Sequence, residues 1–215
     1  QVNELLDESI STIKIQSNLP EPVNIADIDF DALATMVAAI EKPRQSDAEK
    51  LKNLIERKLQ PMVVKNKSRQ DLQQKFLELI EEYNLGAYTA EEFFNRLKDF
   101  IDELEHEEKR TVREGLSEEE LAVYDLMIQD APLDEKERKL VKEVAKELTE
   151  KIQELLVIDW RKKQRTKARV KNMIEEVLDS LPDSYNDELW PKKCNEVFMH
   201  IFEKYPGQGH SVYTH

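Results

Sequence analysis

DEKERKLVKEVAKELTEKIQELLVI, residues 134–158, decides the fold. Leu140, Val141, Val144, Leu148, Ile152 and Leu155 recur at intervals of three and four, with ions between them. That is the period of a helix burying one stripe, so a long helix is expected from Asp134 to about Ile158. Working upstream, Asp130-Ala131-Pro132 reads as a turn. Ser117-Glu118-Glu119-Glu120 is a capping box that opens a helix carrying Leu121, Tyr124, Leu126 and Met127. Thr89-Ala90-Glu91-Glu92 is another, opening a helix that runs on to Gly115. Asn84-Leu85-Gly86 is a left-handed cap on an amphipathic helix over Arg69–Tyr83, with Leu72, Phe76, Leu79 and Ile80 as its face. Asp47 begins a helix through Leu51, Leu54, Ile55, Leu59 and Met62, which Pro61 is expected to kink or end.

At the N-terminal end, Leu5, Leu6, Ile10 and Ile13 keep helical spacing, Pro20 and Pro22 interrupt it, and Phe30–Ile40 forms a short apolar helix. Downstream, a helix starting at Trp160 runs through Val170, Met173, Ile174, Val177 and Leu178 to Leu181-Pro182-Asp183. The last helix spans Trp190–Tyr205 and buries Val197, Phe198, Ile201 and Phe202. Met62-Val63-Val64 is the only β-like run, and it is too short for a strand. The expected fold is all-α: a multi-helix array of antiparallel amphipathic helices with no significant sheet. Four glycines among 215 residues agree with this, because sheets and phosphate loops need more. Residues 1–45 read as a helical arm and Pro-containing connector. Residues 46–206 read as the main helical domain, divisible into 46–115 and 116–206, and residues 207–215 as a flexible tail.

The net charge of −13 argues against a protein that binds DNA over its whole surface. One cysteine, Cys194, allows no intrachain disulfide and no thiolate cluster, and its place one turn before Phe198 reads as an inert core thiol. No apolar run is long enough to cross a membrane, and the expected location is the cytoplasm. The opening Gln1-Val2-Asn3-Glu4 lacks Met and any signal-like pattern, so the chain is read as a fragment that depends on other domains.

No phosphate-loop, dinucleotide-binding or nucleophile-elbow motif is present. His106-Glu107-Glu108 begins like a zinc-protease helix but lacks the second His. Glu107-Glu108-Lys109 matches half of a metal-nuclease motif, yet it lies in a charged helix and reads as a solvated face. Glu196, His200 and Glu203 share a helical neighbourhood; the favoured reading is a His half-buried beside Phe198 and Phe202, bonded to a carboxylate. No catalytic and no metal residue is assigned, and no cofactor is expected in this chain.

One segment stands apart. Between Arg161 and Lys171, seven cations and no acid occupy eleven positions: Arg161, Lys162, Lys163, Arg165, Lys167, Arg169 and Lys171. The rest of the chain therefore carries −20. Cations in the first turn of a helix oppose its macrodipole, so something should offset them. Acidic helices of the same domain, an acidic face of a partner, and nucleic-acid phosphate all qualify. Trp160 offers a face for stacking an Arg. Trp160 and these seven residues are the candidate partner or DNA contact.

Read in order, several blocks carry a resemblance. They are Leu-Ile-Glu-Arg-Lys-Leu-Gln-Pro-Met-Val (54–63), Phe-Leu-Glu-Leu-Ile-Glu-Glu-Tyr-Asn (76–84), Glu-Glu-Phe-Phe (91–94), and Glu-Glu-Lys-Arg-Thr-Val-Arg-Glu-Gly-Leu-Ser-Glu-Glu-Glu-Leu-Ala (107–122). The strongest are Leu-Val-Ile-Asp-Trp-Arg-Lys-Lys-Gln (156–164) and Lys-Lys-Cys-Asn-Glu-Val-Phe-Met-His-Ile-Phe (192–202). Over roughly residues 48–206 the chain resembles the C-terminal helical domain of R subunits (HsdR) of type I restriction enzymes. The resemblance implies an ATP-dependent DNA translocase and site-specific deoxyribonuclease as the parent enzyme. It further implies ATP, Mg²⁺ and S-adenosylmethionine as cofactors of the holoenzyme. The implied partners are the motor and nuclease domains of the same subunit, the methyltransferase and specificity subunits, and DNA through the holoenzyme. The domain itself would be non-enzymatic, packing on the motor domains and docking to the methyltransferase core, with DNA-backbone contact through 161–171 as the alternative.

Overall fold

The computed structural model describes residues 33, 35, 37–156, 160–207 and 210–213. The helix expected over Leu5–Ile13, the connector after it and part of Phe30–Ile40 lie outside the described residues. The elements are α1 (Gln45–Lys65), a 3-10 turn η1 (Lys67–Arg69), α2 (Gln70–Asn84), α3 (Ala90–Glu108), α4 (Arg110–Glu114), α5 (Glu118–Ile128), α6 (Glu135–Leu155), α7 (Gln164–Leu178) and α8 (Leu189–Lys204). Among the described residues there is no strand, only an isolated bridge between Gly207 and His210. The fold is all-α.

Local chemistry explains the helix starts. Ser117 Oγ accepts from the Glu120 N–H, and the Glu120 carboxylate accepts from the Ser117 N–H. Thr89 and Glu92 form the same reciprocal pair. Asp134 and Glu137 make a third box, which the Ser/Thr pattern did not flag. At the other ends, Gly86 (φ 80) and Gly115 (φ 66) take the left-handed conformation that closes α2 and α4.

Four expectations are corrected. Pro61 does not end α1, which runs on to Lys65 and absorbs Met62-Val63-Val64 as helix. The helix from Thr89 stops at Glu108, and α4 takes over after Lys109. Leu140, assigned to the buried stripe of α6, is 43% exposed, while Val141, Val144, Leu148 and Ile152 are buried. The stripe therefore keeps the expected direction but stops short of Leu140 and takes in Ala145 and Thr149. The tail after Pro206 is not wholly loose either: the Val212 N–H donates to Lys204 O, and the Tyr213 hydroxyl donates to Lys65 O at 2.7 Å.

The chain divides into two compact units, neither of them a continuous half. The first comprises Gln1–Lys58 and Phe76–Glu105. Its described core holds Leu51, Ile55, Phe76, Phe93, Phe94 and Phe100, with Phe76 stacked on Phe100 at 5.4 Å. The second comprises Leu59–Lys75 and His106–His215. There α5 packs on α6 and α8, and α7 on α6 and α8. Its core runs through Leu121, Val144, Leu148, Trp160, Ile174, Val197 and Ile201. The boundaries are discontinuous because η1 is bonded to distant residues of the second unit, described next.

Candidate functional site

In the second unit, the basic segment separates into buried and exposed parts. Trp160 is 0% exposed, and its indole N–H donates to Tyr205 O at 2.8 Å. Its ring meets Phe202 edge-on at 5.7 Å. Trp160 thus belongs to the core and is withdrawn from the candidate contact residues. It lies in a turn, not in a helix, because α7 begins only at Gln164. The ring over which an Arg sits is Phe202: the Arg161 guanidinium carbon lies 5.2 Å from its centroid. Arg161 Nε and Nη2 are buried without a hydrogen-bond partner, and burial holds its pKa below the ordinary value.

The remaining cations face solvent to different degrees. Lys163 is the N-cap of α7 and supplies no side-chain cap. Thr166 Oγ1 donates instead to Trp160 O and Lys163 O. Arg165 and Arg169 stand one turn apart, both exposed, and Lys167 is half-buried. Lys171 reaches Glu175 at 3.8 Å. Among the described residues no ion pair or hydrogen bond engages the side chains of Lys163, Arg165, Lys167 or Arg169. Arg165 and Lys167 occupy a first turn that contains no acid, where the helix dipole opposes them.

A second feature of this unit escaped the sequence reading. Arg69 is 2% exposed and forks onto Glu107 (2.9 Å) and Glu118 (2.7 Å). Burial alone would lower its pKa; the Glu118 and Glu107 carboxylates outweigh that and hold it above its ordinary value. Glu107 also reaches Arg110, whose guanidinium forks onto buried Asp125. Asp125 further accepts from Asn66 Nδ2 at 2.7 Å and Ser68 Oγ at 2.9 Å. This chain of charges fastens η1 to α3, α4 and α5.

Beside it opens a concave face of about 670 Å³. Its apolar floor is Leu126 and Ile128, half-buried, with Met199 42% exposed. Gln129, Arg138 and Asn195 stand around it, and among the described residues no hydrogen bond or ion pair engages the Arg138 side chain. Lys193, wholly buried, braces the wall by donating to Leu126 O (2.7 Å) and Glu196 (2.8 Å).

His200 lines the same face and is 2% exposed, more deeply buried than expected. Its partner is a phenol, not a carboxylate: Nε2 lies 3.1 Å from the Tyr213 hydroxyl. Because that hydroxyl donates to Lys65 O, its oxygen must accept, so Nε2 carries the proton. Nδ1 is then a buried acceptor with no partner. Burial, assisted by Lys204 and Lys67, pulls the His200 pKa down to about 4. The unfolded chain binds a proton near pH 6.5 and the folded chain only near 4, so stability falls as pH drops through that window. Relative to a His200→Gln variant, the chain should lose about 3 kcal/mol between pH 7 and 4. Urea unfolding of both proteins at the two pH values checks this; parallel losses would reject it.

Other candidates resolve simply. Burial pushes the Cys194 thiol up to about 11, so it is scarcely ionised at neutral pH. His106 Nε2 lies 2.7 Å from Arg113. Among the described residues, no three His, Cys, Asp or Glu side chains converge as a metal site. None of their helices is long and apolar enough to cross a membrane.

Against known proteins, residues 1–205 match the family described as type I restriction enzyme HindI endonuclease subunit-like, C-terminal. The chain belongs to this family. Over 91 residues it is 34% identical to a protein of Methanocaldococcus jannaschii assigned as the type I restriction enzyme MjaIXP endonuclease subunit. That stretch is 40% of the chain and spans 8% of the relative's length. No solved structure matches. The endonuclease-subunit family is therefore the one the quoted blocks pointed to, and its match extends into residues 1–45, where the sequence offered no resemblance. Within this family member, a single Arg before an amphipathic helix gave no sign that Arg69 would be buried. Only the carboxylates at 107 and 118, brought back by the fold, reveal it.

Proposed function

We propose that this domain is an assembly module of a type I restriction endonuclease subunit. In this reading it acts in the cytoplasm, packs on the motor and nuclease domains of its own subunit, and docks to the methyltransferase and specificity subunits. It has no catalytic role of its own, and the parent enzyme cuts and translocates DNA. The observation that carries the docking reading is the concave face: an apolar floor with exposed Met199, flanked by Arg138, whose side chain has no ion pair or hydrogen bond among the described residues, and by the Gln129 and Asn195 amides. Protein interfaces are built this way, with a small apolar centre rich in Met and Arg inside a polar rim. In this reading ATP, Mg²⁺ and S-adenosylmethionine belong to the holoenzyme and not to this domain, whose Gly86 and Gly115 serve as helix caps.

The test is co-purification of the complete endonuclease subunit with its methyltransferase partners. Arg138→Glu with Met199→Asp should cut recovery at least about tenfold, as expected when central interface contacts are lost, with the melting temperature unchanged. Undiminished recovery would remove this face as the dock.

A further inference from the structure

We propose that Lys163, Arg165, Lys167 and Arg169 form a contact for the sugar–phosphate backbone of nucleic acid, separate from the concave face. Three observations converge on it. Among the described residues the side chains of these four cations have no partner, although the rest of the chain carries a large excess of acid. Lys163, Arg165 and Arg169 are exposed and Lys167 is half-buried. They also lie at the start of α7, where Lys163 N-caps the helix and Arg165 and Lys167 occupy a first turn holding no acid. An external anion there gains from both the side chains and the helix dipole. The third observation separates a polyphosphate from an acidic protein face. The large exposed apolar side chains among the described residues are Val64, Leu77, Leu85, Val112, Leu140 and Met199. None lies between 160 and 178. A packed protein interface needs an apolar centre and is depleted in Lys, whereas a phosphate backbone needs only cations at reach.

The same charge balance limits the footprint. With −13 overall, the contact spans few phosphates and reads no bases. Four neutralised phosphates predict a log affinity that falls with log salt at a slope on the order of −3.6. That corresponds to a loss of roughly 100-fold between 50 and 200 mM salt.

The experiment titrates the 215-residue chain against a duplex DNA of arbitrary sequence across that salt range. Wild type should bind at 50 mM salt with the stated slope. Arg169→Gln alone should make the slope shallower by about 0.9. The combined Lys163→Gln, Arg165→Gln, Lys167→Gln and Arg169→Gln variant should abolish binding, while Lys163→Arg with Lys167→Arg retains it and guards against misfolding. Absence of binding at 50 mM, or wild-type affinity in the combined variant, overturns the proposal. Co-purification with the methyltransferase partners keeps the two surfaces distinguishable: the combined variant should be recovered normally. Loss of recovery without any DNA binding would instead make the ridge a protein dock and overturn the proposal.

Discussion

Replacing Trp160 with Ala lowers the unfolding free energy by about 3–5 kcal/mol, the range for deleting a large buried aromatic. The indole is fully enclosed, its N–H is spent on Tyr205 O, and its edge packs on Phe202. Removal leaves a cavity lined by α8 side chains and an unsatisfied carbonyl at Tyr205, and both costs add. Trp160→Phe should recover most of the packing but not the hydrogen bond, falling between the two. Urea unfolding at pH 7 measures this. A Trp160→Ala protein of unchanged stability would return the indole to the surface, as the sequence first suggested.

Asp125→Ala should cost a similar amount, about 3–5 kcal/mol, for a different reason. Asp125 is buried and receives Arg110, Asn66 and Ser68 at once. Breaking a buried ion pair by removing one partner strands the other charge and its donors. The two substitutions should also be non-additive. Once Asp125 is gone, changing Arg110 to Met should cost little more, since the stranded cation is removed with it. A double-mutant cycle by denaturant unfolding reads the coupling. Additive losses would mean that Arg110 and Asp125 act independently, against the geometry described.

How far the sequence reached depended on whether the deciding force was local. Helical period, the two boxes at Thr89 and Ser117 and the glycine cap at 86 act within a few residues, so the all-α fold was legible from them. Leu140 was misplaced because 3.6-residue periodicity defines a stripe's direction, while its width is set by neighbours distant in sequence. Trp160 was misread because adjacent cations suggested a surface, yet the chain turns there and tucks the ring under α8. The burial of Arg69 and the anchoring of Tyr213 depend on partners separated by 38 to 148 positions, and no local pattern encodes them. Of the candidate site, the four unpaired cations were visible as a charge run. The concave face was not, since Leu126, Ile128, Arg138 and Met199 come together only through the packing of α5, α6 and α8.

The assembly reading is tested most directly at Met199. An exposed thioether oxidises readily to the sulfoxide, and a covered one is protected. Peroxide oxidation of Met199, followed by mass spectrometry, should proceed freely in the isolated endonuclease subunit and slow by about tenfold or more once the methyltransferase partners are bound. An equal rate in the free and assembled states would show that the concave face stays open in the enzyme, and would contradict the account.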